Sequence, residues 1–373
     1  MKILTIQLEN EIINFGKALK DNFETISKTY SDEVGYSVED ISLLWNDLDN
    51  FLQNFSQLFE GQQKIWEIKN VFYQNIQKKF KYQISPWGKV LICTPQNAVI
   101  PLVPIMIISF CSVGNELVIA PSRKTIKTFL IIFKIAKETL ISKFWKFDFF
   151  EEGGKSAIDK YVKTRVIDFL YFQGSSKNRI PVINQCLESG IDYIFEGEGN
   201  QITFIDNIYQ NTFLDSVVNK IHRSKEMCQG QLCTSPNVIF VDEKCSSEFL
   251  LKCKIRSSEI EVYILEETLN LASMINKELL TNKILIIIYK DFNRTVDRIK
   301  YIYNFGLQVS IFSENPDRLK VKLLKELKIA RIMINLNPTF QNSLLPWGGY
   351  KKTGFSPVYN FIEKAIKVVT IEG

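Results

Sequence analysis

Three short segments of this 373-residue chain set a reactive or polar side chain beside a bend in the backbone. Thr94-Pro95-Gln96-Asn97 and Phe195-Glu196-Gly197-Glu198-Gly199-Asn200 each close an apolar run, and Gln229-Gly230-Gln231-Leu232-Cys233 follows a helical stretch. A cysteine thiolate attacks carbonyl carbon. A carboxylate can draw a proton from water, and a side-chain amide can donate to a developing oxyanion. Each residue also has an ordinary reading. A thiol is among the most buried side chains, and asparagine is a favoured helix cap. Cys228 competes with Cys233, and Glu198 shares its turn with Glu196. The histidine count narrows the chemistry: His222 is the only one, on a polar stretch beside Arg223 that reads as a surface. Sites needing two histidines are excluded, a zinc hydrolase is disfavoured and no metal is expected. Nucleophilic chemistry here would take its base from a carboxylate.

The elements that must position these segments are legible as periodicity. Apolar residues recur at helical spacing through Ile12–Phe23 and Val38–Phe59, so the first 80 or so residues read as helices, with Asp40 as a cap. From Lys89 the pattern alternates. Val90–Cys93, Leu117–Ala120, Val166–Phe172 and Tyr193–Phe195 read as strands, with helices at Val103–Ser112, Ile126–Leu140 and Ile180–Glu188. After Asn200, strands are expected at Val238–Val241, Val262–Leu265, Ile284–Tyr289, Val309–Phe312 and Ile332–Ile334. Helices are expected at Phe213–Arg223, Ser247–Lys252, Leu269–Leu280, Arg294–Asn304 and Pro316–Leu327. Alternation of this kind makes parallel sheets covered on both faces, which bind ligands at the carboxyl ends of their strands.

Composition excludes several classes. A net charge of +5 with scattered lysines gives no basic stripe for nucleic acid. Seven irregularly spaced cysteines without a CxxC pair argue against a disulfide framework. Ala98–Val113 is apolar but short for a membrane span and carries Pro101 and Pro104, so it reads as a buried helix. Met1–Leu8 does not read as a signal peptide, and a cytoplasmic location is expected.

Taken together the segments resemble the aldehyde dehydrogenase superfamily. Thr94–Asn97 is similar to its Thr-Pro-x-Asn element, Phe172-Gln173-Gly174-Ser175 to Phe-x-Gly-Ser, Glu196–Gly199 to Glu-x-x-Gly, and Gly230–Cys233 to Gly-Gln-x-Cys. Gly114-Asn115, Pro121-Ser122, Phe305-Gly306-Leu307 and Pro346–Gly354 resemble further elements, in the family's order from about Pro86 onward. The resemblance implies two parallel or mixed α/β domains. Residues 1–200 would hold a helical region and a Rossmann-like cofactor domain, 201–345 a cysteine-bearing catalytic domain, and 346–373 a segment returning to the cofactor domain. It implies Cys233 as nucleophile, Asn97 and the Cys233 N–H as oxyanion donors, and Glu196 as the base for water. NAD or NADP would be held by Thr94, Pro95, Pro121, Ser122, Arg123, Gly174, Ser175 and Glu278. The terminal strand, about Lys367–Ile371, implies a homodimer or larger assembly.

The chain departs from the family pattern in places. Ala120 replaces the lysine of Lys-Pro-Ser, Arg123 stands where an acid is common, and Leu280-Thr281-Asn282 replaces Phe-Gly-Pro. An arginine there suits a 2′-phosphate, so the expected cofactor is NAD or NADP. The chain is short for the family. The leading expectation is oxidation of a small-molecule aldehyde to an acid. The alternatives are an acylating or reductive enzyme acting on an acyl thioester, and a non-catalytic scaffold; no nucleic-acid or membrane partner is expected.

Overall fold

The computed structural model describes residues 6–65, 69–73, 76–254, 260–277, 279, 281–340, 343 and 345–372, with no side-chain description for 58, 60–84, 355–358 and 368–372. The chain divides into two compact units. The first comprises residues 1–195, 342–347 and 357–373, the second residues 196–341 and 348–356.

The first unit opens with α1 (Ile6–Asp21), α2 (Phe23–Val34) and α3 (Val38–Ile65). Ser37 rather than Asp40 caps α3, its Oγ accepting from the Asp40 N–H at 3.1 Å. Helix does not continue to residue 80. β1 (Lys69–Tyr73) and β2 (Ile76–Pro86) are an antiparallel pair. The two-residue alternation of Phe80, Tyr82 and Ile84 with Lys81 and Gln83 is the signal for β2.

A sheet then forms from β3 (Lys89–Cys93), β4 (Glu116–Ala120), β5 (Lys146–Phe149), β6 (Phe169–Gln173) and β7 (Asp192–Glu196), in the order β7-β6-β3-β4-β5. β6, β3, β4 and β5 are mutually parallel. The near-continuous apolar sequences of β6, β3 and β4 follow from burial on both faces, whereas the edge strand β5 alternates. α4 (Val99–Ser112) and α5 (Ile126–Thr139) are crossover helices, followed by the short α6 (Gly154–Ala157) and by α7 (Arg179–Ser189). α4 is apolar all round and buried almost throughout, as a helix inside a protein core must be. It starts at Val99, four residues before the expected Val103, because Pro101 sits in the first turn, where its missing N–H would have no partner anyway.

The second unit holds a six-stranded, wholly parallel sheet: β8 (Gln201–Asp206), β9 (Pro236–Asp242), β10 (Ile260–Ile264), β11 (Ile284–Tyr289), β13 (Gln308–Ser313) and β14 (Arg331–Ile334), with the two-residue β12 (Phe305–Gly306) outside it. The order is β10-β11-β9-β8-β13-β14. α8 (Asn211–Glu226) and α9 (Glu243–Lys254) share one core with Ile239, Val241 and Ile286. The short α10 (Leu271–Ile275), α11 (Phe292–Ile299) and α12 (Asp317–Glu326) share the other with Val238, Phe240 and Ile287. Alternate residues of one strand thus feed two cores. His222 is buried in α8 at 5% exposure, not on the surface. The helix's polar tail is covered by residues 335–339: Lys220 Nζ donates to the Asn335 carbonyl and Ser224 Oγ to Asn337 Oδ1. α10 ends at Ile275, short of the expected Leu280; Asn276 donates its amide to the Ala272 and Ile302 carbonyls just beyond it.

β15 (Trp347–Lys351) pairs with β12, Gly306 opposite Tyr350; β16 (Gly354–Tyr359) and α13 (Phe361–Lys364) follow. β17 (Ile366–Glu372) completes the three-stranded sheet β1-β2-β17. Among the described residues no helix is long and apolar enough to cross a membrane.

At the carboxyl edge of the six-stranded sheet lies a buried carboxyl pair, Asp206 and Asp242. Asp206 accepts from the Tyr289 hydroxyl at 2.9 Å and from Arg318 Nη2 at 2.8 Å. Burial, and the hydrogen bond with Asp206, push the Asp242 pKa above the usual carboxylate range, against the Lys244 N–H that favours its ionised form. A pKa raised by folding means the folded chain holds the proton more tightly. That stabilisation is complete at low pH and is lost as pH rises through the raised value. Asp242→Asn keeps an acceptor for Lys244 and turns an N–H toward Asp206. Its melting temperature at pH 8 is expected to exceed the parent's by about 2–4 °C, with the gap closing toward pH 4. Equal melting temperatures at pH 8 would show that the pair holds no proton between its carboxyls.

Candidate active site

In the first unit, the residues singled out from sequence gather at the carboxyl ends of parallel strands. Thr94–Asn97 follows β3, the Thr94 N–H donating to the Ala120 carbonyl at the end of β4. The Tyr30 hydroxyl of α2 donates to the Gln96 carbonyl at 3.0 Å, so the helical N-terminal region braces this loop. Ala98, not Asn97, directly precedes α4, without a side-chain cap. Pro121 and Ser122 follow β4, and Ser122 accepts from the Thr125 N–H at 3.1 Å. Arg123 Nη2 donates to the Glu152 carbonyl at 2.6 Å. Gly174 and Ser175 follow β6, where Ser175 Oγ accepts from the Lys177 N–H in the turn leading to α7.

Two details bear on a ligand. Glu33 already occupies the N-terminus of α5, accepting from the Lys127 and Thr128 N–H groups at 2.9 and 3.1 Å. The Thr94 hydroxyl, in contrast, is buried with no hydrogen-bond partner among the described residues. A buried polar atom without a partner is rare and points to a missing one. It lies beside β3, the strand from which the connections run to β4 on one side and toward β6 on the other, the kind of point where such sheets bind nucleotides. This donor set fits a nicotinamide dinucleotide.

In the second unit, four of the family-like segments converge. Glu196 is buried at the end of β7. The next residue, Gly197, donates its N–H to the Thr353 carbonyl at 2.6 Å, and Thr353 Oγ1 accepts from the Gly306 N–H at 3.2 Å. The Glu196–Gly199 turn, the Phe305-Gly306 element and the Gly348–Gly354 element are thus hydrogen-bonded together. Gly199 packs directly on the cysteine loop: a methyl group there would lie 2.7 Å from Cys233 Cβ and closer still to its carbonyl oxygen.

The loop reaches Cys233 through a left-handed turn. Cys228, Gln229 and Gly230 have φ of 51°, 55° and 71°. Two non-glycine residues in that region cost about 1–2 kcal/mol each, strain that recurs at functional sites. Cys228 is buried, as are the other five, and Cys233 alone of the seven cysteines is not. Burial raises the Cys93 and Cys186 thiols to about 12 and Cys245 to about 11, which keeps them protonated and inert.

Some neighbours were not anticipated. Arg331, opening β14, has its pKa pushed down to about 10 by burial, an effect opposed by the nearby Cys233 sulfur. Lys225 and Asn237 are buried on either side of the cysteine loop. Charge just outside the expected strand Ile332–Ile334 and just beyond the expected helix Phe213–Arg223 was the available signal, and periodicity discards it. Glu278 lies outside the described residues. Asn97 belongs to the first unit, Cys233 and Glu196 to the second.

The sequence profile described as "Aldehyde dehydrogenase family" matches residues 9–283 and 260–370. A lactaldehyde dehydrogenase of Methanococcus aeolicus is 22% identical over 321 residues, covering 72% of this chain and 68% of that one. A solved NAD-dependent aldehyde dehydrogenase from Sinorhizobium meliloti superposes with a TM-score of 0.82 at 16% identity, over 98% of this chain and 81% of that one. An NADP-dependent enzyme of E. coli gives 0.82 at 15% identity, over 98% and 85%. The α/β fold, the order of the motifs and the profile match agree: the chain belongs to the aldehyde dehydrogenase family.

Proposed function

We propose that the chain oxidises a small-molecule aldehyde to a carboxylic acid through a thioester on Cys233. The observation that carries this reading is the packing of the Glu196–Gly199 turn against the only unburied cysteine. The Cys233 thiolate forms a carbon–sulfur bond with the aldehyde carbon, and the carbonyl electron pair moves to oxygen. The Cys233 N–H donates to that oxyanion, and the family resemblance assigns the side-chain donor to Asn97. NAD or NADP, when bound, would supply the two-electron acceptor for the hydride whose departure leaves the acyl group on Cys233 sulfur. Thr94, Pro95, Pro121, Ser122, Arg123, Gly174 and Ser175 are the candidates to hold it, with Arg123 suited to a 2′-phosphate. Glu196 takes a proton from water, the hydroxide oxygen adds to the acyl carbon, the carbon–sulfur bond breaks and the acid leaves. The named methanogen relative acts on lactaldehyde, which makes short hydroxyaldehydes the first substrates to try.

The experiment is rapid-mixing kinetics of Glu196→Gln with an aldehyde and NAD or NADP. One equivalent of reduced cofactor is expected in a burst, followed by a steady-state rate about 10²–10⁴-fold below the parent. Recovery on adding coenzyme A would instead assign acyl transfer to a thiol. Steady-state turnover at the parent rate without added thiol would remove Glu196 from the reaction.

A further inference from the structure

Lys225 has no part in the chemistry above, yet it is 1% exposed. It is the penultimate residue of α8, just before the left-handed turn that leads to Cys233. Its Nζ donates to Asn237 Oδ1 at 2.5 Å and to the Leu279 carbonyl at 3.2 Å. Asn237, four residues after Cys233 and buried at the start of β9, donates its amide to Asn200 Oδ1 at 2.8 Å. Asn200, four residues after Glu196 and fully buried, donates to the Ile275 carbonyl at 2.6 Å and accepts from the Tyr303 hydroxyl. One unbroken series of side-chain hydrogen bonds therefore runs from the entry of the cysteine loop, through its exit, to the segment that follows the glutamate turn.

Stability does not account for this lysine. Burying an ammonium is costly, and buried charges replaced by apolar side chains of similar volume are often neutral or stabilising. A fully connected polar network instead specifies one geometry. The loop it brackets carries three consecutive left-handed residues, two of them not glycine, a backbone setting that tertiary contacts help to hold.

We propose that Lys225 is a positioning residue for Cys233: through Asn237 and Asn200 it fixes the cysteine loop against the Glu196–Gly199 turn. The inference rests on the reading of Cys233 as the nucleophile. Displacing the thiol changes the dipoles it faces, and so changes both its reaction geometry and the pH at which it ionises.

The test uses the full chain with Lys225→Met, Asn200→Ala and the double variant. Fold is checked by circular dichroism, and two quantities are read: kcat against the cofactor KM, and the pH profile of Cys233 alkylation by iodoacetamide, assigned by mass spectrometry. Lys225→Met is expected to lower kcat about 10²-fold while the cofactor KM stays within about twofold, and to move the alkylation midpoint. Asn200→Ala is expected to reproduce the shift and the double variant to add little to it, since both act through one network. A folded Lys225→Met with the parent's kcat and alkylation profile would overturn the proposal, as would fully additive effects. Should Lys225→Met not fold, a parental alkylation profile in Asn200→Ala overturns it alone. Turnover surviving in Cys233→Ala would instead sink the nucleophile reading, which separates the two failures.

Discussion

Replacing Cys233 by alanine is expected to remove aldehyde-dependent cofactor reduction by roughly 10⁴-fold or more, the scale seen when a covalent nucleophile is deleted. The same substitution should leave the melting temperature almost unchanged. Cys233 is only half-buried, so its thiol contributes little packing, and a substitution of that kind costs less than about 1 kcal/mol. The contrast with Cys228 makes the expectation specific. Cys228 is fully buried with a left-handed backbone, and Cys228→Ala should lower stability while sparing the chemistry of the folded enzyme. Steady-state turnover and thermal melting of the two variants, side by side, check this. Loss of turnover in Cys228→Ala with retention in Cys233→Ala would assign the nucleophile to the wrong thiol.

Gly199→Ala is expected to have the second-largest effect, although it touches no reacting atom. Its new methyl would lie 2.7 Å from Cys233 Cβ, a distance that real side chains do not adopt, and the close neighbours include backbone that cannot swing aside. The cysteine loop must therefore move away from the glutamate turn. A displacement near 1 Å costs about 10²-fold in rate, so kcat should fall by at least about that factor. Cofactor binding, assigned to residues of the first unit, should persist, and a cofactor titration by fluorescence would report it. Parental kcat in a folded Gly199→Ala would mean that the turn and the loop need not be apposed for turnover.

How much of this was legible before the structure depends on the residue. β11 spans Ile284–Tyr289 as the apolar run indicates, because Ile, Leu and Tyr side chains feed cores on both of its faces. β8 was not read at all, although it is central to the same sheet. Gln201, Thr203 and Asp206, all buried, interrupt its apolar pattern, and partners distant in sequence accommodate two of them: Gln201 is bonded to Ser310 and Gln308, Asp206 to Arg318 and Tyr289. The helical expectation for the first 80 or so residues takes in the start of β2, one of whose two pairing partners is the far terminus, Pro86 opposite Ile366. The polar tail of α8 escapes for the same kind of reason: the segment bonded to Lys220 and Ser224 lies more than a hundred residues away in sequence. The site divides likewise. Cys233, Glu196 and Asn97 stand in short motifs that are visible locally, whereas Lys225, Asn237 and Arg331 matter only through tertiary neighbours that periodicity cannot encode.

The central claim is a covalent acyl intermediate on one sulfur. Mass spectrometry of the Glu196→Gln chain, quenched after mixing with an aldehyde and NAD or NADP, tests it most directly. An acyl mass increment on the peptide bearing Cys233, labile to hydroxylamine and absent without cofactor, is the predicted result. Reduced cofactor produced in the same mixture with Cys233 unmodified throughout would contradict it.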